Sequence, residues 1–268
     1  MKRTMALAGI ALAVCALAGA QDNSGNRVVI PSRNGSHART LEAHVISGEI
    51  VVKTGSGNDV IVEANGGRPP RQSSQNAPPG MHRIDIPFGA PLNVQETGDT
   101  IHVNLMPRAG GDTLTITCPS NMSLKLNATH GDIKVDGVRG EIDAESTHGD
   151  ITLTNVAGTV VANTMHGSLK VVMNQVDQSK PLSFTTMSGE IDVTLPADTK
   201  ANVKLRALRG EIWSDFDMKL TGSAPVTRNT AGGGRLIMMD RTMNGTINGG
   251  GVDATFYTVN GKITIRKK

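Results

Sequence analysis

The sequence predicts an all-β fold, a single-handed, β-solenoid-like stack of short strands with about 18–22 residues per coil. Three observations predict it. A glycine phrase recurs at a fixed interval, apolar and polar residues alternate after each glycine, and no helical period is sustained beyond the N-terminal apolar run.

The phrase is a polar residue, Gly, a polar or acidic residue, then Ile, Leu or Val. It stands as His130-Gly131-Asp132-Ile133, Arg139-Gly140-Glu141-Ile142 and His148-Gly149-Asp150-Ile151, then as Ala157-Gly158-Thr159-Val160 and His166-Gly167-Ser168-Leu169. These five glycines are nine residues apart. With looser spacing the phrase returns at Ser188-Gly189-Glu190-Ile191, Arg209-Gly210-Glu211-Ile212, Asn244-Gly245-Thr246-Ile247 and Asn260-Gly261-Lys262-Ile263, and one earlier copy is Ser47-Gly48-Glu49-Ile50.

Each unit reads as a turn followed by a strand. Ile133-Lys134-Val135-Asp136, Ile151-Thr152-Leu153-Thr154 and Ile191-Asp192-Val193-Thr194 share a period of two and are bounded by glycine. The context of the glycines alternates, so the true repeat is 18 residues, or two strands. His130, His148 and His166 then fall one coil apart, as do Ile133, Ile151 and Leu169, and Val135, Leu153 and Val171. Stacked one strand spacing apart, about 4.8 Å, the apolar columns fill a narrow core that no single unit could bury alone. The longer intervals after residue 170 accommodate wider turns, such as Asn174 to Pro181.

The N-terminus has the zones of a secretory signal: Lys2 and Arg3, an apolar run from Met5 to Leu17, and Ala18-Gly19-Ala20 before polar Gln21. The expected organisation is a signal peptide over 1–20, a flexible segment over 21–39, and a repeat domain over 40–268 with loops near 65–80 and 222–234. Val14 precedes Cys15 where lipidation wants a small residue, which leaves Cys15 as part of the signal core. Cys118 is then the lone cysteine of the mature chain, expected to be buried as a small hydrophobe. No membrane-spanning segment is expected after cleavage.

Without Lys2 and Arg3 the chain carries 25 basic and 24 acidic residues, scattered singly. A nucleic-acid surface needs a clustered basic stripe, and only Arg266-Lys267-Lys268 resembles one, so nucleic acid is excluded as a partner.

The repeats and the closing phrase Thr258-Val259-Asn260-Gly261-Lys262-Ile263-Thr264-Ile265-Arg266 resemble the bacterial β-strand-repeat "putative adhesin" family over roughly residues 40–268. The resemblance implies a right-handed-solenoid-like β fold, an exported or envelope location and an adhesin role, with no catalytic motif. The places where such relatives occur also suggest an envelope stress-sensing module.

Calcium β-roll repeats use two glycines and an Asp per nonapeptide, whereas here one glycine is followed by Asp132, Glu141, Asp150, Thr159 or Ser168. His130, His148 and His166 would line one edge, close enough for two to share a transition metal, but no further ligand is identifiable and a repeated turn residue is favoured. Glu141, Glu145, Asp150 and Glu190 could supply a carboxylate pair for glycoside chemistry, yet aromatic residues are 2% of the chain, and the close pair Trp213 and Phe216 reads as packing against a coil or capping the stack. Gly232-Gly233-Gly234 and Gly249-Gly250-Gly251 open no helix and read as turns. The expectation is therefore no catalytic, cofactor-binding or metal residue. The function expected is non-catalytic: an exported, periplasmic or surface-exposed scaffold that binds an envelope or cell-surface protein or glycan through its repeated face. The alternative is a polysaccharide-active solenoid enzyme.

Overall fold

A strand that alternates apolar and polar residues buries one face and exposes the other, and this chain does so strand after strand. In the computed structural model, residues 27–32, 39–66, 92–106, 112–222, 226–229, 235–238 and 242–268 are described. Ser123–His130 and Ile133–Asp136 form one coil. The next begins with Arg139–His148 and turns into Ile151–His166, a long strand that bends through a second corner to begin the coil after it. Pairing is parallel, with Ile151 opposite Ile133 on one side and Leu169 on the other, so the expected 18-residue register holds. The glycines spaced nine apart alternate between two corners: Gly131, Gly149 and Gly167 on one edge, Gly140 and Gly158 on the other.

The result is a flattened β-solenoid with two broad faces. The front face carries Ser123–His130 and Arg139–His148; the back face carries Ile133–Asp136 and Leu169–Val176. The core between them is built from columns such as Ile50, Ile133, Ile151, Leu169, Ile191 and Ile263, all at most 1% exposed. Thr152 and Thr154 lie on the outer side.

Coils do not stack in chain order. Thr40–Thr54 lies between Thr100–Leu105 with Asp112–Cys118 on one side and Ser123–His130 with Ile133–Asp136 on the other. At the far end Val252–Asn260 and Ile263–Lys267 insert between Leu182–Ser188 with Ile191–Leu195 and Ala201–Arg209 with Ile212–Ser214. Antiparallel strands then cover the outermost coils. Leu92–Thr97 covers Thr100–Leu105, Val60–Gly66 covers Asp112–Cys118, and Met243–Ile247 followed by Met218–Gly222 covers Ala201–Arg209. An array of parallel coils would otherwise end in open strand edges that template further pairing.

Arg27–Ile30, expected within a flexible 21–39 segment, is a strand paired antiparallel with Val60–Gly66, because its apolar residues cover that strand's edge and bury Ile30. Within the 222–234 loop, Val226–Asn229 pairs with Arg235–Met238 as a separate hairpin. Near 65–80, Asn65 and Gly66 belong to a strand; the rest of that expected loop and the expected signal peptide over 1–20 lie outside the described residues. Asn244-Gly245-Thr246-Ile247 matches the repeat phrase but sits within an antiparallel covering strand, not at a corner. Cys118 is fully buried, and burial pushes its thiol pKa up to about 12. Among the described residues no helix is long and apolar enough to cross a membrane.

Candidate functional site

The first corner shows why the phrase has its composition. A β-carbon on Gly131 would lie 1.8 Å from the carbonyl oxygen of Gly48, and one on Gly189 1.9 Å from that of Gly167. Neighbouring coils come so close here that only glycine fits. The residue after glycine bonds the next coil: the Asp150 amide donates to Asp132 Oδ1 at 2.9 Å and the Ser168 amide to Asp150 Oδ1 at 2.7 Å. The Glu190 amide in turn donates to Ser168 Oγ at 3.3 Å. Asp132, Asp150 and Ser168 each supply this bond with a short acceptor, acid or hydroxyl, whereas Glu190 and Lys262 at the same position form an ion pair at 3.1 Å.

Three residues before Gly149, Gly167, Gly189 and Gly261, a second ladder runs inside. The hydroxyls of Ser146, Thr164, Thr186 and Thr258 donate to the carbonyls of Gly131, Gly149, Gly167 and Gly189 at 2.9–3.3 Å. All four residues are buried. Sequence reasoning missed this column, although a hydroxyl stands three residues before the corner glycine in four of the copies.

The residue before glycine forms a third column, in which Ser47, His130, His148, His166, Ser188, Asn260 and Arg209 stand in register. The rings of His130 and His148 are stacked, with centroids 4.9 Å apart, and those of His148 and His166 are 5.0 Å apart. All three are exposed. Among the described residues no group of three or more His, Cys, Asp or Glu gathers around a single metal position.

On the front face, polar columns run across the coils. One holds His102, Glu42, Lys125 and Asp143; the next holds Asn104, His44, Asn127 and Glu145. Together they line an open groove. His102 Nδ1 is 3.0 Å from Glu42 Oε2, and Lys125 Nζ donates to Glu42 Oε1 at 3.5 Å. Burial raises the Asp143 carboxyl above its ordinary range, opposed by nearby Lys125 and reinforced by Glu141. Nearer the C-terminal end a second open groove is lined by Asn202, Lys204, Lys219, Asn244, Asp253 and Thr255. Beside it, the Arg206 guanidinium lies 5.5 Å from the Tyr257 ring centroid. One face thus offers a mixed acidic and basic groove and a lysine-bearing one.

The four carboxylates considered for glycoside chemistry do not come together as an isolated pair. Glu141 pairs with Lys180 at 2.7 Å and Glu190 with Lys262 at 3.1 Å. Asp150 serves the corner ladder, and only Glu145 lines the groove. Trp213 is 59% exposed and donates to Glu211 at 3.1 Å, while Phe216 is buried against the last coil. The ring pair that does form is Phe184 with Phe256, stacked at 5.1 Å in the core. Chain order hides it, because the coil carrying Phe256 returns from the far end to lie beside Phe184.

A flattened β-solenoid, with glycine-lined corners and antiparallel strands over its outer coils, is the class of protein these features define. The chain belongs to the Toastrack DUF4097 family, whose model matches residues 18–265. It is similar to a solved "putative cell adhesion protein" from Clostridium sporogenes, with 11% identity over 91% of this chain and 99% of the other and a TM-score of 0.47. It is also similar to a solved "putative adhesin" from Bacteroides fragilis, with 11% identity over 91% and 98% of the two chains and a TM-score of 0.39. None of the curated proteins matches it.

Proposed function

We propose that this chain is an exported, non-catalytic binding or scaffold protein of the cell envelope, adhesin-like in mode, that engages an envelope or cell-surface protein or glycan through its front face. The observation that carries the reading is the pair of adjacent polar columns, His102-Glu42-Lys125-Asp143 and Asn104-His44-Asn127-Glu145. They present donors, acceptors and both signs of charge at the strand spacing along an open groove. Such a surface suits many modest contacts whose sum sets affinity. Residues 1–20 serve as the signal peptide, with the mature chain starting at Gln21.

The polysaccharide-active alternative needs a carboxylate pair at a cleft with an aromatic platform. Glu141 and Glu190 are neutralised by lysines, and Trp213 lies at the last coil, away from the groove that holds Glu145. The test is binding of the purified mature protein to whole cells and to an array of envelope glycans. Wild type should bind, and a Lys125→Glu, Asn127→Ala double variant with an unchanged melting curve should bind several-fold more weakly. Equal binding by the two proteins, or turnover of any glycan by the wild type, would overturn the proposal.

A further inference from the structure

The histidine column has no role in the front-face reading. Its three rings sit on one exposed edge, 4.9 and 5.0 Å apart, each on a different coil. The ladder beside it runs between backbone amides and the side chains of Asp132, Asp150 and Ser168 and does not use the imidazoles. The spacing comes directly from strand pairing, since His130 is opposite His148 and His148 opposite His166.

A neutral imidazole offers one in-plane lone pair, which late first-row divalent ions bind at about 2.0–2.1 Å. Two such bonds to one ion place the ligating nitrogens about 3–4 Å apart. Neighbouring rings centred 4.9 Å apart reach that separation by tilting toward each other about their side-chain bonds. Their exposure leaves room for the tilt and for waters to complete the coordination shell. His130 and His166 stand two coils apart and do not share an ion. His148 is therefore common to both usable pairs.

We propose that this edge binds one borderline divalent transition ion, such as Zn²⁺, Ni²⁺ or Cu²⁺, through His148 together with either His130 or His166. With two protein ligands the site is open and exchangeable, unlike a closed four-ligand structural centre. The bound ion ties together two coils that are 18 residues apart in sequence, so it stabilises the stack by mass action.

The pairing rule makes the test specific. The untagged mature protein is titrated with ZnCl₂ or NiCl₂ by calorimetry at pH 7.5, beside His130→Asn, His148→Asn and His166→Asn variants. The expected result is one ion per chain for wild type, with His130→Asn and His166→Asn each within about twofold of its affinity. His148→Asn should lose about a hundredfold, the advantage of a second ligand on the same scaffold. Zn²⁺ should raise the melting temperature of wild type and leave that of His148→Asn unchanged, a comparison that also confirms folding of the metal-free variant. Wild-type affinity in His148→Asn would overturn the proposal, as would equal losses in all three variants or the absence of any binding to wild type.

Discussion

The carbonyl oxygen of Gly131 stands 2.2 Å from where a β-carbon on Gly149 would begin. Gly149 also has a φ of +154°, which L side chains rarely adopt. Steric contact and backbone conformation therefore both restrict this corner to glycine, and the same contact recurs from coil to coil.

Gly149→Ala should accordingly destabilise the protein by more than about 3 kcal/mol, in the range of the severe core substitutions. Gly98 provides the control: its φ is +61°, and a β-carbon there meets nothing within 4 Å. Gly98→Ala should cost only the left-handed backbone penalty, about 1–2 kcal/mol. Urea denaturation of both variants measures the difference, and equal midpoints would show that coil contact does not restrict the corner.

Ile151 is fully buried between Ile133 and Leu169, whereas Thr152 lies outward between Lys134 and Lys170. Ile151→Asp puts an unpartnered charge in the core and should cost more than about 4 kcal/mol. Thr152→Asp sets a carboxylate between two lysines and should change stability by less than about 0.5 kcal/mol. Thermal melts of the pair decide it; similar shifts would mean that the register is wrong.

The Thr186 hydroxyl, with no exposure to solvent, donates to the Gly167 carbonyl at 2.9 Å. Thr186→Val keeps the shape and removes the donor, so a loss of about 1 kcal/mol is expected. Thr185→Val, one residue along and on the outer side of the same strand, should be close to neutral. A neutral Thr186→Val in the same denaturation series would remove the inner hydroxyl ladder from the account of stability.

Burial holds the Cys118 thiol protonated up to about pH 12, against 9.0 for the free group. The unfolded chain loses this proton first. The contribution is therefore complete below pH 9 and declines between about 9 and 12, by about 1.4 kcal/mol per pH unit at most. A Cys118→Ala variant should be less stable at pH 8 because of the cavity, yet its stability should fall less steeply from pH 9 to 10.5. Parallel slopes for the two proteins would contradict this. A thiol reagent at pH 8 should label Cys118 only as fast as the protein opens.

The coil itself was legible in the chain. The nine-residue glycine spacing, the period of two after each glycine and the 18-residue recurrence of Ile133, Ile151 and Leu169 are local properties, set by strand geometry and by the need to bury one face. Inward and outward residues followed from the same alternation. The roles of Asp132 and Asp150 did not, because a corner carboxylate that accepts a neighbouring amide looks the same in sequence as a calcium ligand or a catalytic acid.

What only the tertiary structure decided is which coil stacks on which. Every Gly-x-Ile unit offers its neighbours nearly the same backbone hydrogen bonds and apolar column, so local chemistry does not distinguish one stacking order from another. The choice rests on contacts between residues far apart in the chain. Phe256 stacks on Phe184, the coil from Val252 to Lys267 enters ahead of the one from Ala201 to Ser214, and antiparallel strands cover the outer coils. The front-face groove depends on the same choice, since His102, His44 and Lys125 meet there only because Thr40–Thr54 inserts between two later segments. Residue spacing determined the repeating unit, and long-range packing determined the order of the units and the surface they make together.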